Sequence, residues 1–120
     1  MAVENRKGYR AVARNLPISP IKVRPIADHV RRKSYVDAIA LLDSLPQKGA
    51  GFLKKVIASA ATNAISQNPN LDEDGLYIAE LLVDSGPSRK SLWPRGHGRA
   101  DRQIKRSCHI SVIIDNKAEN

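Results

Sequence analysis

The sequence contains a single cysteine, Cys108, which excludes an intrachain disulfide and any zinc site built from several cysteines. Aromatic residues make up only 4% of the chain, and Trp93 is its one tryptophan. No apolar run approaches the ~18 residues of a membrane-spanning helix, and the N-terminus, MAVENRKGYR, lacks the apolar stretch of a signal peptide. We therefore expect a soluble, intracellular protein in a reducing compartment, without a membrane partner.

Acidic residues are in the minority, with 12 Asp and Glu against 20 Lys and Arg, which gives a net charge of +8 at pH 7. The basic residues fall in two segments: residues 1–33 hold nine bases and two acids, and residues 85–106 hold seven bases and one acid. Residues 34–84 reverse this balance, with three bases and seven acids, and residues 107–120 hold one base and two acids. This division indicates that one face binds a polyanion while another stays in solvent.

The apolar periodicity predicts an α+β fold in which three helices pack on a small antiparallel sheet. Alternation over Tyr9–Leu16 predicts a first strand. A helix should begin at Ser19-Pro20, because a serine oxygen can accept an orphan N–H and proline is favoured at the first helical position. Its apolar face would consist of Val23, Ile26, Ala27 and Val30.

Two further helices are expected before the second basic segment. Ser34 with Asp37 three residues later is typical of a capping box, and it predicts a helix of about ten residues that ends before Pro46. A longer helix should begin at Gly51 and stop by Asn68. Its apolar face would consist of Leu53, Val56, Ile57, Ala60, Ala61 and Ala64.

The second basic segment, Ser85–Arg106, lies between two alternating apolar patterns that predict strands. The sequence therefore predicts a long hairpin that pairs from Leu76 to Ile114, turns near Arg95 and carries its basic tip away from the body. Cys108 should face the core from its strand. The apolar positions are Tyr77, Ala79, Leu81 and Val83 before the segment, and Ile104, Cys108, Ile110, Val112 and Ile114 after it.

The length of the chain fits a single domain over residues 1–120. The expected parts are a globular body over about 9–84 and 107–114, an extended arm over about 85–106, and polar termini over 1–8 and 115–120.

The tip of the arm has the chemistry of an RNA contact. Glycines allow close approach of the backbone, Trp93 and His97 can stack on bases, and arginine forks match phosphate oxygens. An A-form duplex hides its bases in a narrow groove, so we expect the arm to thread between folded RNA segments. The predicted RNA-binding side chains are Arg10, Arg14, Lys22, Arg24, Arg31, Arg32, Arg89, Lys90, Trp93, Arg95, His97, Arg99, Arg102, Lys105 and Arg106.

Other chemistries fit the sequence less well. Gly96-His97-Gly98 precedes no recognisable helix and the chain has no Gly-Lys-Ser/Thr, which argues against a nucleotide-binding loop. A His97–Asp101 acid–base pair is conceivable in a nuclease, but both residues lie on an exposed tip without a pocket to tune them. The histidines lack metal-ligand spacing. We predict no catalytic residues, no metal site and no cofactor.

Several motifs together resemble the bacterial-type large-subunit ribosomal protein twenty-two family, from about Tyr9 to Ile114. They are Ser19-Pro20 with Lys22 and Arg24, Lys55-Val56 with Ser59-Ala60 and Asn63-Ala64, Gly86-Pro87, Arg95-Gly96-His97-Gly98-Arg99-Ala100, and Lys105-Arg106 with His109-Ile110.

The resemblance implies an α+β body on the ribosomal RNA of the large subunit and a hairpin that lines the exit tunnel for nascent polypeptide. It implies neighbouring large-subunit proteins and the nascent chain as partners. The expected location is a cytoplasmic ribosome of the bacterial type, with an organellar ribosome as the alternative. The chain departs from the family at Arg32, where the family's first helix usually ends with glycine, and at Gly96 and His97, where Ala and Met are more usual. The alternatives from other classes are a free-standing regulatory RNA- or DNA-binding factor and, more distantly, an RNA-processing enzyme.

Overall fold

A computed structural model describes residues 8–95 and 99–116, and over 89–104 it describes the backbone but not the side chains. The architecture confirms the predicted α+β class. The elements are β1 (Tyr9–Leu16), α1 (Pro20–Val30), α2 (Tyr35–Ser44), α3 (Lys48–Gln67), one 3₁₀ turn (Glu73–Gly75), β2 (Leu76–Ser85), β3 (Arg89–Arg95), β4 (Arg99–Lys105) and β5 (Cys108–Asn116).

The described strands form two antiparallel sheets. The body holds a three-stranded sheet in the order β1-β5-β2, and β3 pairs with β4 in a separate two-stranded sheet. Ile78 pairs with Ile114 near the start of the long hairpin, and Arg95 pairs with Arg99 near its end. The predicted antiparallel pairing of the two segments is confirmed, but its register is shifted, since Leu76 pairs with Asn116 rather than Ile114 and Arg95 still lies in a strand. Residues 96–98 lie outside the described part of the chain.

The predicted apolar phase of β2 is wrong in its first half. Leu76 and Ile78 are buried, whereas Tyr77 and Ala79 are only partly buried. The pairing shifts between Ile78 and Glu80, because Ala79 is an extra residue in this strand. A bulge of this kind reverses the side-chain alternation, so Leu81 returns to the core.

The core lies between the helices and one face of the body sheet. The predicted apolar faces of α1 and α3 are all buried, and Cys108 is fully buried as predicted. Helix α3 begins at Lys48 rather than Gly51. Its N-cap, Gln47, makes no side-chain capping bond, so this start carries no cap signal in the sequence.

The two predicted N-caps differ in the structure. Ser34 accepts a hydrogen bond from the backbone N–H of Asp37 at 3.3 Å, which confirms the cap of α2. Ser19 occupies the N-cap of α1 but makes no side-chain capping bond. Proline at the next position lacks an N–H and fixes φ, and these properties favour the start of α1 without the serine.

The molecule is elongated, with extents of 65 × 32 × 21 Å and a radius of gyration of 17.4 Å. A compact domain of this length would have a radius of gyration of about 14 Å. The difference agrees with an arm that leaves the body. Within residues 8–95 and 99–116, no helix has the length and apolar character needed to cross a membrane.

Candidate nucleic-acid interface

Strand β1 presents two of the predicted site residues on the surface. Arg10 and Arg14 are exposed and alternate with partly buried residues that pack on the core, such as Ala11 and Ala13. The side chain of Asn63 on α3 donates to the carbonyl oxygen of Arg10 at 3.1 Å. This bond fixes the backbone beneath the Arg10 side chain.

Arg24 of α1 and Arg31, the C-cap residue of the same helix, are held against the outer edge of β2. The Arg24 guanidinium donates to the carbonyl oxygen of Val83 at 3.2 Å from Nη2. Arg31 donates to the carbonyl oxygen of Leu81 at 2.9 Å from Nη2 and 3.2 Å from Nε, and it also pairs with Asp28. Both guanidinium groups are therefore engaged in the free protein, and their predicted contact with RNA stays a prediction. They satisfy carbonyl groups of an edge strand, which protects that edge from pairing with another chain.

Lys22 and Arg32 remain exposed and make no side-chain hydrogen bond or ion pair among the described residues. Arg32 has φ +68°, and the N–H of Lys33 donates to the carbonyl oxygen of Val30 at 3.2 Å. With Arg31 at φ −62° and ψ 131°, these values define a type II turn whose third position favours glycine. An arginine with a left-handed backbone thus stands where the family pattern usually has glycine.

The arm joins the body through a short segment that we call the neck, residues 86–88 and 106–107, between the two sheets. The N–H of Gly86 donates to the carbonyl oxygen of Ser107 at 2.9 Å. The Ser107 hydroxyl donates to the carbonyl oxygen of Pro87 at 2.7 Å. A Cβ on Gly86 would lie 2.4 Å from the Ser107 Oγ, so the two sides of the neck are in close contact.

The two basic segments of the sequence meet at the neck. Arg24 of α1 and Arg106 line the same cavity of about 140 Å³, together with Ser85, Ser88 and other residues. Lys105 and Arg106 are exposed, and their side chains make no hydrogen bond or ion pair in the part of the chain with described side chains. Exposed arginine and lysine groups of this kind can each bind a phosphate oxygen.

The remaining predicted residues lie in the arm, where only the backbone is described. Arg89 pairs with Lys105, Leu92 with Arg102, Trp93 with Asp101, and Arg95 with Arg99. Lys90 pairs with Ile104, and His97 lies outside the described residues. The side chains of Arg89, Lys90, Trp93, Arg95, Arg99 and Arg102 are likewise outside the described part.

Sequence reasoning missed a contact that links β1 to β5 beside the neck. The backbone N–H of Asn15 donates to Nδ1 of His109 at 3.0 Å. Asn15 has φ +57°, at the point where the β1–β5 pairing shifts between Ala13 and Leu16. Asparagine tolerates this conformation better than most residues, but no local sequence pattern predicts the bulge. Among the described residues, no group of His, Cys, Asp and Glu could hold a metal ion.

The comparisons with known proteins agree with the fold. A sequence profile of the family described as Ribosomal protein L22p/L17e matches residues 11–115. The chain is 56% identical over 115 residues to Large ribosomal subunit protein uL22 of Borreliella afzelii, which covers 96% of this chain and 95% of the relative. It is 49% identical over 113 residues to the protein of the same name from Treponema denticola, which covers 94% and 96%. The chain therefore belongs to the Ribosomal protein L22p/L17e family.

Proposed function

We propose that the protein binds the ribosomal RNA of the large subunit through one basic surface that runs from the body over the neck to the arm. Family membership makes the protein a structural constituent of the large ribosomal subunit, of bacterial type and cytoplasmic, and not an enzyme. The RNA contact and the path of the arm are the further steps that we propose. The arm lines the exit tunnel and meets the nascent polypeptide, and the body contacts neighbouring large-subunit proteins.

The observation that carries the RNA contact is the convergence of both basic segments at the neck. Arg24 and Arg106 are far apart in the sequence but line one cavity. Arg10 and Arg14 on β1 and Lys22 on α1 add further cations, with exposed side chains that have no described ion-pair partner. Cations that stay unpaired in the free protein are available to replace the counterions of RNA phosphates.

Several exposed acidic residues lie outside the lining of the cavities at the neck, which gives the protein two different surfaces. Asp72, Glu73 and Asp74 lie in the exposed connection before β2, and Asp43 pairs with Lys54 between α2 and α3. A phosphate backbone is repelled by such carboxylates. We therefore assign the RNA to the side of the neck and the solvent to the side of the α3–β2 connection.

The length of the arm supports its path into the subunit. The pairing runs from Leu76 with Asn116 to Arg95 with Arg99, and the longest extent of the molecule is 65 Å. The resemblance to the family supplies the expectation that this arm reaches the exit tunnel. A long basic hairpin with little apolar surface is suited to a path between RNA segments.

The salt dependence of RNA binding tests the proposed surface. Each phosphate contact that is lost should lower the log–log salt slope by about 0.7–0.9. Changing Arg14, Lys22 and Arg106 to Gln should therefore flatten the slope of binding to large-subunit RNA, and changing Arg95, Arg99 and Arg102 should do the same for the arm.

Lys48 and Lys55 on α3 provide the matched control. Lys55 is exposed, Lys48 lies 5.7 Å from the centre of the Phe52 ring, and neither lysine lines a cavity at the neck. Their change to Gln should leave the slope unaltered. If the variant of Arg14, Lys22 and Arg106 has the same salt slope as the wild type, the proposed surface is contradicted.

Trp93 reports on the arm because it is the only tryptophan. If the arm leaves the body and threads through RNA, emission of the free protein should be red-shifted and readily quenched by iodide. Adding large-subunit RNA should suppress the quenching, as the indole becomes covered. Blue-shifted emission that resists quenching without RNA would mean that the tip folds back on the body.

A further inference from the structure

A cavity of about 440 Å³ lies beside the neck, where the end of β1 meets the base of the arm. Its lining consists of Asn15, Pro17, Pro87, Lys105, Arg106 and Ser107. The volume falls within the range of about 300–1,000 Å³ that is typical of small-ligand sites. It is separate from the smaller cavity that Arg24 lines, although Arg106 and Ser107 contribute to both.

The walls of this neck cavity are fixed in the free protein. His109 holds the backbone N–H of Asn15 at 3.0 Å, and the Ser107 hydroxyl holds the carbonyl oxygen of Pro87 at 2.7 Å. The N–H of Ile18 donates to the carbonyl oxygen of Leu16 at 2.8 Å, which closes a tight turn over Pro17. The proline rings also restrict the backbone on both sides. A site whose walls are ordered before binding loses little conformational entropy when it is filled.

The groups around the cavity are of three kinds. Pro17 and Pro87 supply apolar ring surfaces, and Lys105 and Arg106 supply two exposed cations without described partners. The side-chain amide of Asn15 has donors and an acceptor, and no described residue hydrogen-bonds to it. A simple anion would need only the two cations as binding partners. Apolar surface with an amide that both donates and accepts fits a flat heterocycle whose edge carries donors and acceptors.

We propose that the neck cavity takes one unstacked nucleotide of the large-subunit ribosomal RNA. Its base packs against the proline rings, the Asn15 amide hydrogen-bonds to the edge of the base, and Lys105 and Arg106 bind the flanking phosphates. Single-stranded RNA is generally recognised in this way, through bases splayed out onto side chains and read along their edges. The inference rests on the proposed RNA-binding function and adds that the body reads one base, whereas phosphate contacts carry no sequence information.

The substitution Asn15→Gly tests this site. Glycine adopts the positive φ of the bulge readily and removes the side chain with its amide, and thermal unfolding checks that the variant folds. The full-length protein is bound to large-subunit RNA of its source organism, and the RNA bases are probed with dimethyl sulfate and carbodiimide. We expect Asn15→Gly to weaken binding about tenfold or more, with an unchanged salt slope, because a base contact releases no counterion. One nucleotide that the wild type protects should become reactive.

Asn70→Gly is the matched control, since Asn70 is an exposed asparagine in the connection before β2 and lines neither neck cavity. It should change neither affinity nor reactivity. If Asn15→Gly also leaves both unchanged while the wild type binds the RNA, the nucleotide site is wrong and the proposed function stands. A lower salt slope with reactivity changes spread over many nucleotides would show that the neck binds phosphate only, which overturns the site in the same way. A wild type that shows no salt-dependent RNA binding would overturn the proposed function, and the site with it.

Discussion

The guanidinium of Arg31 donates two hydrogen bonds to the backbone carbonyl oxygen of Leu81, at 2.9 and 3.2 Å. Arg24, two helical turns earlier, makes the same type of contact with the carbonyl oxygen of Val83, at 3.2 and 3.4 Å. Helix α1 is thereby attached along the outer edge of β2, just before that strand continues into the neck. Two basic side chains of the body thus support the strand that carries the arm.

Arg31→Ala should lower the free energy of unfolding by about 1–2 kcal/mol, because a part-buried carbonyl group loses a charged donor. Arg31→Lys should recover part of the loss, since lysine keeps the charge but lacks the planar fork. Denaturant unfolding monitored by circular dichroism gives both values. Lys22→Ala is the control on the helix that Arg31 caps, with an exposed side chain that has no described partner, and it should cost less than about 0.5 kcal/mol. Equal effects of Arg31→Ala and Lys22→Ala would contradict the structural role of Arg31.

Arg32→Gly should stabilise the protein. The left-handed φ of +68° costs a non-glycine residue about 1–2 kcal/mol, and the greater freedom of glycine in the unfolded chain offsets part of the gain. A net increase of roughly 0.5–1 kcal/mol in unfolding free energy is expected. Arg32→Ala removes the same charge but keeps the strain, so it should give no gain. If the alanine variant is as stable as the glycine variant, charge rather than backbone conformation limits stability at this turn.

Gly86→Ala should destabilise the neck. The added Cβ would lie 2.4 Å from the Ser107 Oγ, 3.1 Å from the His109 ring and 3.3 Å from the backbone carbon of Ser107. Overpacking of this kind typically costs about 1–3 kcal/mol, measurable as a lower midpoint of thermal unfolding.

Gly51→Ala is the matched control for this substitution. Gly51 lies in α3, and a Cβ there meets no atom within 4 Å, so alanine should stabilise the helix by roughly 0.5–1 kcal/mol. Opposite signs for the two glycine variants are the expected result. If Gly86→Ala has no effect on stability, the neck opens easily. The statement that the walls of the neck cavity are fixed in the free protein would then be wrong.

The sequence predicted the elements well because their signals are local. Ser34 and Pro46 flank a helix of ten residues, and the small and apolar residues of α3 recur with helical spacing. The alternation on both sides of the basic segment was enough to predict the pairing of β2 with β5. Each of these signals depends only on residues close in the chain.

The errors concern positions that tertiary contacts decide. The bulge at Ala79 reverses the side-chain alternation of β2. It arises from the pairing of β2 with β5, and the sequence of β2 alone carries no information about that pairing. The hydrogen bonds of Arg24 and Arg31 were not predicted, because their carbonyl partners are at least 50 residues away in the sequence. The neck cavity depends on Asn15 and Ser107, which no motif combines.

Cys108 gives a pH-dependent prediction. Burial raises the pKa of its thiol above the ordinary value of 9.0, so the unfolded chain loses this proton at a lower pH than the folded protein does. The contribution of Cys108 to stability is fully present below that value and declines as pH rises through it. The difference in unfolding free energy between wild type and Cys108→Ala should therefore shrink between about pH 8 and about pH 10. A difference that stays constant over this range would show that the thiol is not desolvated.

Co-sedimentation tests the central claim, that the protein is a structural part of the large subunit bound to its RNA. Cell extract is separated on a sucrose gradient, and the protein is quantified in each fraction by mass spectrometry against known amounts of purified protein. We expect equimolar amounts of protein and large subunit, retained after a moderate salt wash and reduced when Arg14, Lys22 and Arg106 are changed to Gln. A protein found in only a small fraction of large subunits, or mainly in the free fractions, would instead be a free-standing regulatory factor and not a structural part of the subunit.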